Sequence, residues 1–290
     1  MRGVLAGTPL SQALLLALGA MLLFGVGDLV YKKAAVAGVP AHQFLMGQAL
    51  LFAPTVILIA LLSGAPITRA ALWGAAAGAC SFVAFYNFSR SLATGSISVN
   101  APIFRMSFIL TAALAIVLLH EPLTPLKLAG LGLAPVAAWL LLGGAPAAGR
   151  KPAAASLVQV GIATVALGVG MLFYKIGVLQ GASPAVLVAA QATVFMPTAT
   201  AFSTWREKRL VPSAGALRYG PVAGLMLVGA FLLMTEALRR GQASVVVPIA
   251  QMGFVATALI GFLFLREPFT PRKGAGLAAA AAAMACLAAS

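Results

Sequence analysis

Ten apolar runs, each long enough to cross the hydrocarbon core of a bilayer, follow one another with hardly any polar sequence between them. They cover roughly 10–31, 42–62, 70–90, 97–119, 125–143, 156–177, 184–204, 214–237, 243–265 and 273–289. A spanning helix needs about 20 apolar residues. Within lipid every backbone N–H and C=O must be bonded inside the protein, so only helices and closed barrels can span. Runs this long select helices. Composition agrees: 62% of the 290 residues are hydrophobic and 8% charged, against about 45–50% and about 25% in soluble domains. The expected fold class is all-α integral membrane, with ten transmembrane helices.

Net charge is +14, from 19 Lys and Arg against 5 Asp and Glu. The bases stand singly or in small groups between the apolar runs, as in loops that face a membrane surface. No basic segment is interleaved with aromatics, so nucleic acid is not an expected partner. Cys80 and Cys286 lie inside apolar runs and read as packing residues. His42 and His120 stand apart from each other and from any acid cluster. No metal site, cofactor or disulfide is expected, and no ATP-binding motif occurs.

The chain is also duplicated. Gly25-Val26-Gly27 returns as Gly168-Val169-Gly170 and Tyr31-Lys32 as Tyr174-Lys175. The same shift maps Gly38 to Gly181, Gln48 to Gln191 and Pro54 to Pro197. A slightly longer shift maps Gly74 and Gly78 to Gly220 and Gly224, and Ser98-Val99-x-x-Pro102-Ile103-x-x-Met106 to Ser244-Val245-x-x-Pro248-Ile249-x-x-Met252. Glu121-Pro122-x-Thr124-Pro125 returns as Glu267-Pro268-x-Thr270-Pro271. The first run therefore has a counterpart later in the chain and is expected to be the first helix of a repeat instead of a cleaved leader. The expected organisation is a first repeat over 1–145, a linker over 146–155 and a second repeat over 156–290. Five helices is an odd number, so the second repeat enters the membrane from the opposite side. Such inverted-topology repeats enclose a central cavity near the midplane and exchange conformations in alternating access.

Each half resembles the EamA-type domain of the drug/metabolite transporter superfamily. The residues that carry the likeness are Gly25, Lys32, Pro40, Gly95, Ser98, Val99, Pro102 and Glu121-Pro122-Leu123-Thr124. In the second half they are Gly168, Lys175, Pro184, Gly241, Ser244, Val245, Pro248 and Glu267-Pro268-Phe269-Thr270. The resemblance covers nearly the whole chain. It implies a cavity lined by the first, third and fourth helices of each half, and secondary transport, with export more typical than uptake. Two departures stand out. Gln48 and Gln191 occupy the region where such domains often carry an Arg, and Asn100 and Arg105 are not general features of the family.

Among polar residues at membrane depth, Arg105 is the first candidate for substrate. Its repeat counterpart is the neutral Gln251, so the duplication does not require the charge. A guanidinium takes a carboxylate with two parallel hydrogen bonds. The alternative is an internal pair with Asp28. Asp28 follows two glycines where helical backbone is expected to loosen, and it competes between substrate or proton binding and a pair with Lys32 one turn on. Tyr31, Gln48, Tyr86, Asn87, Asn100, Tyr174, Gln191 and Gln251 complete the candidate substrate-binding set. Pro102 and Pro248 are expected hinges, since each removes a mid-helix N–H. Glu121-Pro122 and Glu267-Pro268 are expected to cap the helix that follows. Glu236 is expected to pair with Arg239 or Arg240, and Glu207 to be solvated. Gly74-x-x-x-Gly78 and Gly220-x-x-x-Gly224 are expected helix contacts.

Bases flank alternate loops unevenly. Six (Arg2, Arg69, Lys127, Lys175, Arg239, Arg240) lie on the side of the termini and twelve on the other. The positive-inside rule then puts the termini outside, whereas the resemblance favours the reverse. The expected function is a secondary transporter of small metabolites in the cell (inner) membrane, with amino acids as the first substrate class. Its partners are a small-molecule substrate and membrane lipids, and its state a monomer or homodimer. The alternatives are a multidrug or cationic-compound exporter, which needs an exposed carboxylate such as Asp28, and an intramembrane enzyme, for which no catalytic constellation is present.

Overall fold

The computed structural model describes residues 9–94, 97–142, 154–264 and 270–290. Within them the chain is helical and contains no strand. In chain order the helices are α1 (Pro9–Val36), α2 (Ala41–Leu62), α3 (Ala71–Thr94), α4 (Ile97–Arg105), α5 (Ser107–Leu118), α6 (Pro125–Leu142), α7 (Ala154–Leu179), α8 (Pro184–Glu207), α9 (Ala214–Arg240), α10 (Ala243–Gln251), α11 (Gly253–Phe264) and α12 (Pro271–Ala288). Helices α4 and α5 are two pieces of one span, as are α10 and α11, so twelve helices make ten spans. Eight helical stretches are long and apolar enough to cross a membrane, and α6 is a shorter apolar helix. Helix α12, rich in alanine, packs along α6. Large apolar side chains such as Leu58, Leu62, Leu72, Val158 and Leu263 point outward, where lipid rather than a core covers them.

The two repeats are interleaved, and their contacts recur with the repeats exchanged. Helix α1 packs on α9 as α3 packs on α7; α2 packs on α9 as α3 packs on α8. Helix α1 meets α10 and α11 as α7 meets α4 and α5. Contacts between counterparts (α2 with α8, α6 with α12, the fourth span with the ninth) complete the set. The correspondence extends to single atoms. Thr111 Oγ1 donates to the Gly168 carbonyl at 2.9 Å, and its counterpart Thr257 Oγ1 donates to the Gly25 carbonyl at 3.0 Å. Helices α1 and α7 both end in a left-handed glycine, Gly38 and Gly181, a conformation that costs other residues strain.

The expected glycine contacts are present. A Cβ on Gly78 would stand 2.5 Å from the Gln191 carbonyl oxygen, and one on Gly224 equally close to that of Gln48. Small residues here let backbones approach where lipid supplies no hydrophobic drive between helices. The same reason corrects one expectation. Helix α1 runs unbroken through Gly25 and Gly27. Gly25 does not loosen it; its missing side chain leaves room for the backbone of Gly253.

The Glu-Pro motif is also corrected. Glu121 does not cap α6. Thr124 does, its Oγ1 accepting from Lys127 N at 3.1 Å. Glu121 reaches instead into the other repeat and accepts from Ala243 N at 2.7 Å and from Ser244 N at 2.8 Å, at the start of α10. An acid suits that positive helix end, but the helix is not the next one in the chain. Thr270 caps α12 in the same way as Thr124 caps α6, while Glu267, Pro268 and residues 143 to 153 lie outside the described residues; of the expected linker over 146–155, the last two residues already belong to α7.

Candidate functional site

Pro102 and Pro248 lie inside α4 and α10, and the two spans break four residues later, at Met106 and Met252. There the backbone tightens: Met106 N bonds the Ile103 carbonyl at 3.0 Å, and Met252 N that of Ile249 at 3.1 Å. Proline leaves no i→i−4 bond to make at its own position, and mid-helix tightening of this kind marks hinges. Arg105 and Gln251 are the last residues before the two breaks. They are counterparts in the repeat, and they touch: Arg105 Nη1 donates to Gln251 Oε1 at 2.8 Å. Equivalent residues thus come together where the two repeats meet. Phe52 and Phe195, also equivalent, stack edge to face with centroids 6.2 Å apart.

Arg105 is 4% exposed, and its other terminal nitrogen is bonded to the Asp28 carboxylate. Of the two pairings open to Asp28, the structure has Arg105 and not Lys32, which is exposed. Around this pair lies a box of rings. Arg105 stands over the Phe104 ring at 5.7 Å, Phe104 stacks on Phe88 at 4.1 Å, and Phe85 and Phe24 both pack edge-on to Phe231. Asp28, Tyr31, Arg105 and Gln251 line one cavity together with Phe24, Phe85, Phe88 and Phe104. Leu167 and Met171 of α7 and Leu227 of α9 close it from the second repeat. The free space is about 10 Å³, room for about one water. A larger molecule needs the ion pair or the rings to part.

Apart from Tyr31, the remaining candidates lie outside this cavity. Tyr31 donates to Gln48 and Tyr174 to Gln191, the same bond in each repeat. Gln191 also donates to Ser81 at 3.1 Å, and Tyr174 packs behind Phe231 at 5.8 Å. These bonds tie the first helix of each half to the second, and only Tyr31 of the four reaches the cavity. Asn87 donates to the Val83 carbonyl of its own helix. Asn100 is buried and holds Ser91 and Ser156, each at 2.8 Å. Tyr86 lines a second cavity, of about 260 Å³, that shares Tyr31 with the first and opens beside Arg90, Arg206 and His42.

Three features escaped sequence reasoning. Phe88 lines the central cavity; it lies one turn from Phe85, and that spacing was the available signal. Glu207 is not merely solvated: it meets His42 Nε2 at 2.6 Å, across the repeats. Lys175 Nζ donates to the carbonyls of Leu238 (3.0 Å) and Gly241 (2.7 Å), bolting α7 to the end of α9. Neither link is local in sequence. Glu236 pairs with Arg239 and Arg240, both at 2.5 Å, as expected.

Residues 11–143 and 156–289 each match the profile described as the EamA-like transporter family. No curated protein matches. Among solved structures, one described as "Crystal structure of protein" is similar with a TM-score of 0.78, covering 94% of this chain and 97% of its own at 15% identity. At that identity the likeness speaks for the fold alone.

Proposed function

The chain belongs to the EamA-like transporter family, and from that premise we propose that it exports zwitterionic amino acids across the cell membrane by alternating access. The observation that carries the substrate class is the Asp28–Arg105 pair inside a ring-lined cavity between the repeats. A zwitterion can enter such a pair without leaving either charge alone. Its carboxylate takes the guanidinium and its ammonium takes Asp28, while an apolar side chain lies among Phe24, Phe85, Phe88 and Phe104. Burying a charge without a partner is costly, so a simple cation or a simple anion is the poorer guest. A cation bound at Asp28 would strand Arg105, which is why the multidrug reading ranks second.

The same geometry supports an inverted arrangement of the repeats. Five spans per repeat, contacts that recur under exchange, and counterparts Arg105 and Gln251 in contact all fit a two-fold axis in the membrane plane. The two ends differ, however. Lys175 bridges α7 and α9, whereas between α1 and α3 the larger cavity opens and Lys32 is exposed. We read this as one state of an exchanging pair, in which closure of the open end brings Lys32 to the Leu92 region as Lys175 is brought to Leu238.

The test is counterflow in proteoliposomes loaded with L-phenylalanine. Added L-phenylalanine should exchange, while phenylpropionate (no amine) and phenethylamine (no carboxylate) should not. Equal exchange of phenethylamine, abolished by Asp28→Asn alone, would replace this reading with the cation exporter.

A further inference from the structure

The central cavity is lined by both members of three counterpart pairs. The shift that carries Gly25 to Gly168 carries Phe24 to Leu167 and Asp28 to Met171, and the longer shift carries Arg105 to Gln251; all of these residues line the one cavity. In each pair the first-repeat member is charged or aromatic, and the second-repeat member is neutral and not aromatic. Phe88 and Phe104 add rings to the first-repeat side, and their counterparts are Met234 and Ala250. The cavity is therefore two-faced. Its first-repeat wall holds both charges and the rings, and its second-repeat wall is Leu167, Met171 and Leu227 beside the Gln251 amide.

A buried charge needs a partner. Asp28 and Arg105 have each other, and a zwitterionic head engages both. A further charge on the substrate's side chain would have to lie against the second-repeat wall, where Met171 stands in the place equivalent to the acid. Met171 is buried, as are Leu167 and Leu227, so water is not at hand to solvate that charge. Leu167 and Met171 lie one turn apart on the same face of α7. The free space is about 10 Å³, so part of the wall has to turn aside for a side chain. Methionine is unbranched, with three rotatable bonds and a polarizable thioether that fills irregular gaps, while the two leucines are branched. Its thioether turns without breaking an ion pair, which Asp28 and Arg105 cannot do.

We propose that Met171 is the specificity-determining residue of the central site: it meets the end of the substrate's side chain, admits uncharged side chains and excludes charged ones, and sets their size. This inference rests on the zwitterion reading of the Asp28–Arg105 pair. The duplication gives it a sharp form. An acid at position 171 would repeat Asp28 in the second half and complete a site with two acids for one guanidinium, suited to a diamino acid. The thioether denies that third charge a partner.

Counterflow of L-phenylalanine, L-tryptophan and L-lysine by the full chain in proteoliposomes is the test. The wild type should exchange L-phenylalanine and not L-lysine. Met171→Ala should raise the ratio of kcat/KM for L-tryptophan over L-phenylalanine by about tenfold or more, the scale on which an apolar pocket discriminates by size. Met171→Glu should gain exchange of L-lysine. Met234→Ala is the control, since it opens a gap of the same size at a buried methionine outside the cavity lining; its ratio should stay within about twofold of the wild type. If Met171→Glu does not fold, the alanine ratio decides alone. A ratio unchanged in Met171→Ala, or shifted equally in Met234→Ala, overturns the role of Met171 and leaves the zwitterion reading standing. Exchange of phenethylamine as fast as L-phenylalanine by the wild type overturns the zwitterion reading and this inference with it.

Discussion

Arg105 and Gln251 are the same position in the two repeats, and they are hydrogen-bonded to each other at 2.8 Å. A duplicated chain has thus become unequal where its halves meet. One copy carries a charge, the other an amide that accepts from it, and the charge draws Asp28 of α1 into the same cluster. Restoring symmetry therefore has opposite consequences according to direction. Gln251→Arg puts two guanidiniums in contact in a buried place and should lower thermal stability in detergent by several degrees. Arg105→Gln leaves Asp28 without its partner, and breaking a buried pair on one side costs about 3–5 kcal/mol. Adding Asp28→Asn should return most of that stability but no transport. If the double variant exchanges L-phenylalanine at the wild-type rate, the pair has no part in substrate binding.

Arg105→Lys keeps the charge and removes the fork. A lysine can approach one carboxylate oxygen but not two in parallel. We expect kcat/KM for L-phenylalanine counterflow to fall about tenfold or more, with the protein folded as judged by size-exclusion profile. Full activity would argue against bidentate recognition.

Tyr31 and Tyr174 make the same bond to Gln48 and Gln191, but only Tyr31 stands between the two cavities. Tyr31→Phe should change transport kinetics. Tyr174→Phe should show itself mainly in melting temperature, at about 1 kcal/mol for a lost hydrogen bond. Equal kinetic effects from both would remove Tyr31 from the translocation path.

Gly78 and Gly224 are counterparts whose Cβ atoms would stand 2.5 Å from backbone oxygen. Valine at either should cost at least about 1–3 kcal/mol, the range for overpacking, and reduce the yield of monodisperse protein. Alanine at Gly132 or Gly161, where nothing lies within 4 Å, should be neutral or slightly stabilising. A tolerated Gly78→Val would mean that α3 and α8 are not so close.

Closure of the open end can be trapped. Cysteines at Lys175 and Leu238 should be bridged in the resting protein by a bifunctional thiol reagent about as long as the lysine side chain it replaces, since Lys175 Nζ already bonds the Leu238 carbonyl. Cysteines at the counterpart positions Lys32 and Leu92 should cross-link only during turnover, and each link should stop counterflow. Labelling of cysteines at Gly38 and Gly181 from opposite faces of the bilayer is the companion test of inversion. Labelling from one face would end the alternating-access scheme.

The sequence alone determined the membrane-spanning helical class, the duplication, the glycine contacts and the breaks near Pro102 and Pro248. Each is written in local periodicity or in spacing that repeats, and hydrophobic length is a property of consecutive residues. It also singled out Arg105, because one charge at membrane depth without a charged counterpart is visible as a break in the pattern. Only the tertiary structure decided who partners whom. Asp28 takes Arg105, 77 residues away, instead of Lys32 in the next turn. Glu121 caps α10 across the repeats instead of the helix it precedes. His42 meets Glu207. The sequence lists Asn87, Asn100 and Gln191 beside Tyr31 as equal candidates, and the fold separates them. Scarce polar groups in an apolar chain bond whatever polar group the packing brings near, and interleaved repeats bring near the residues that are farthest apart along the chain.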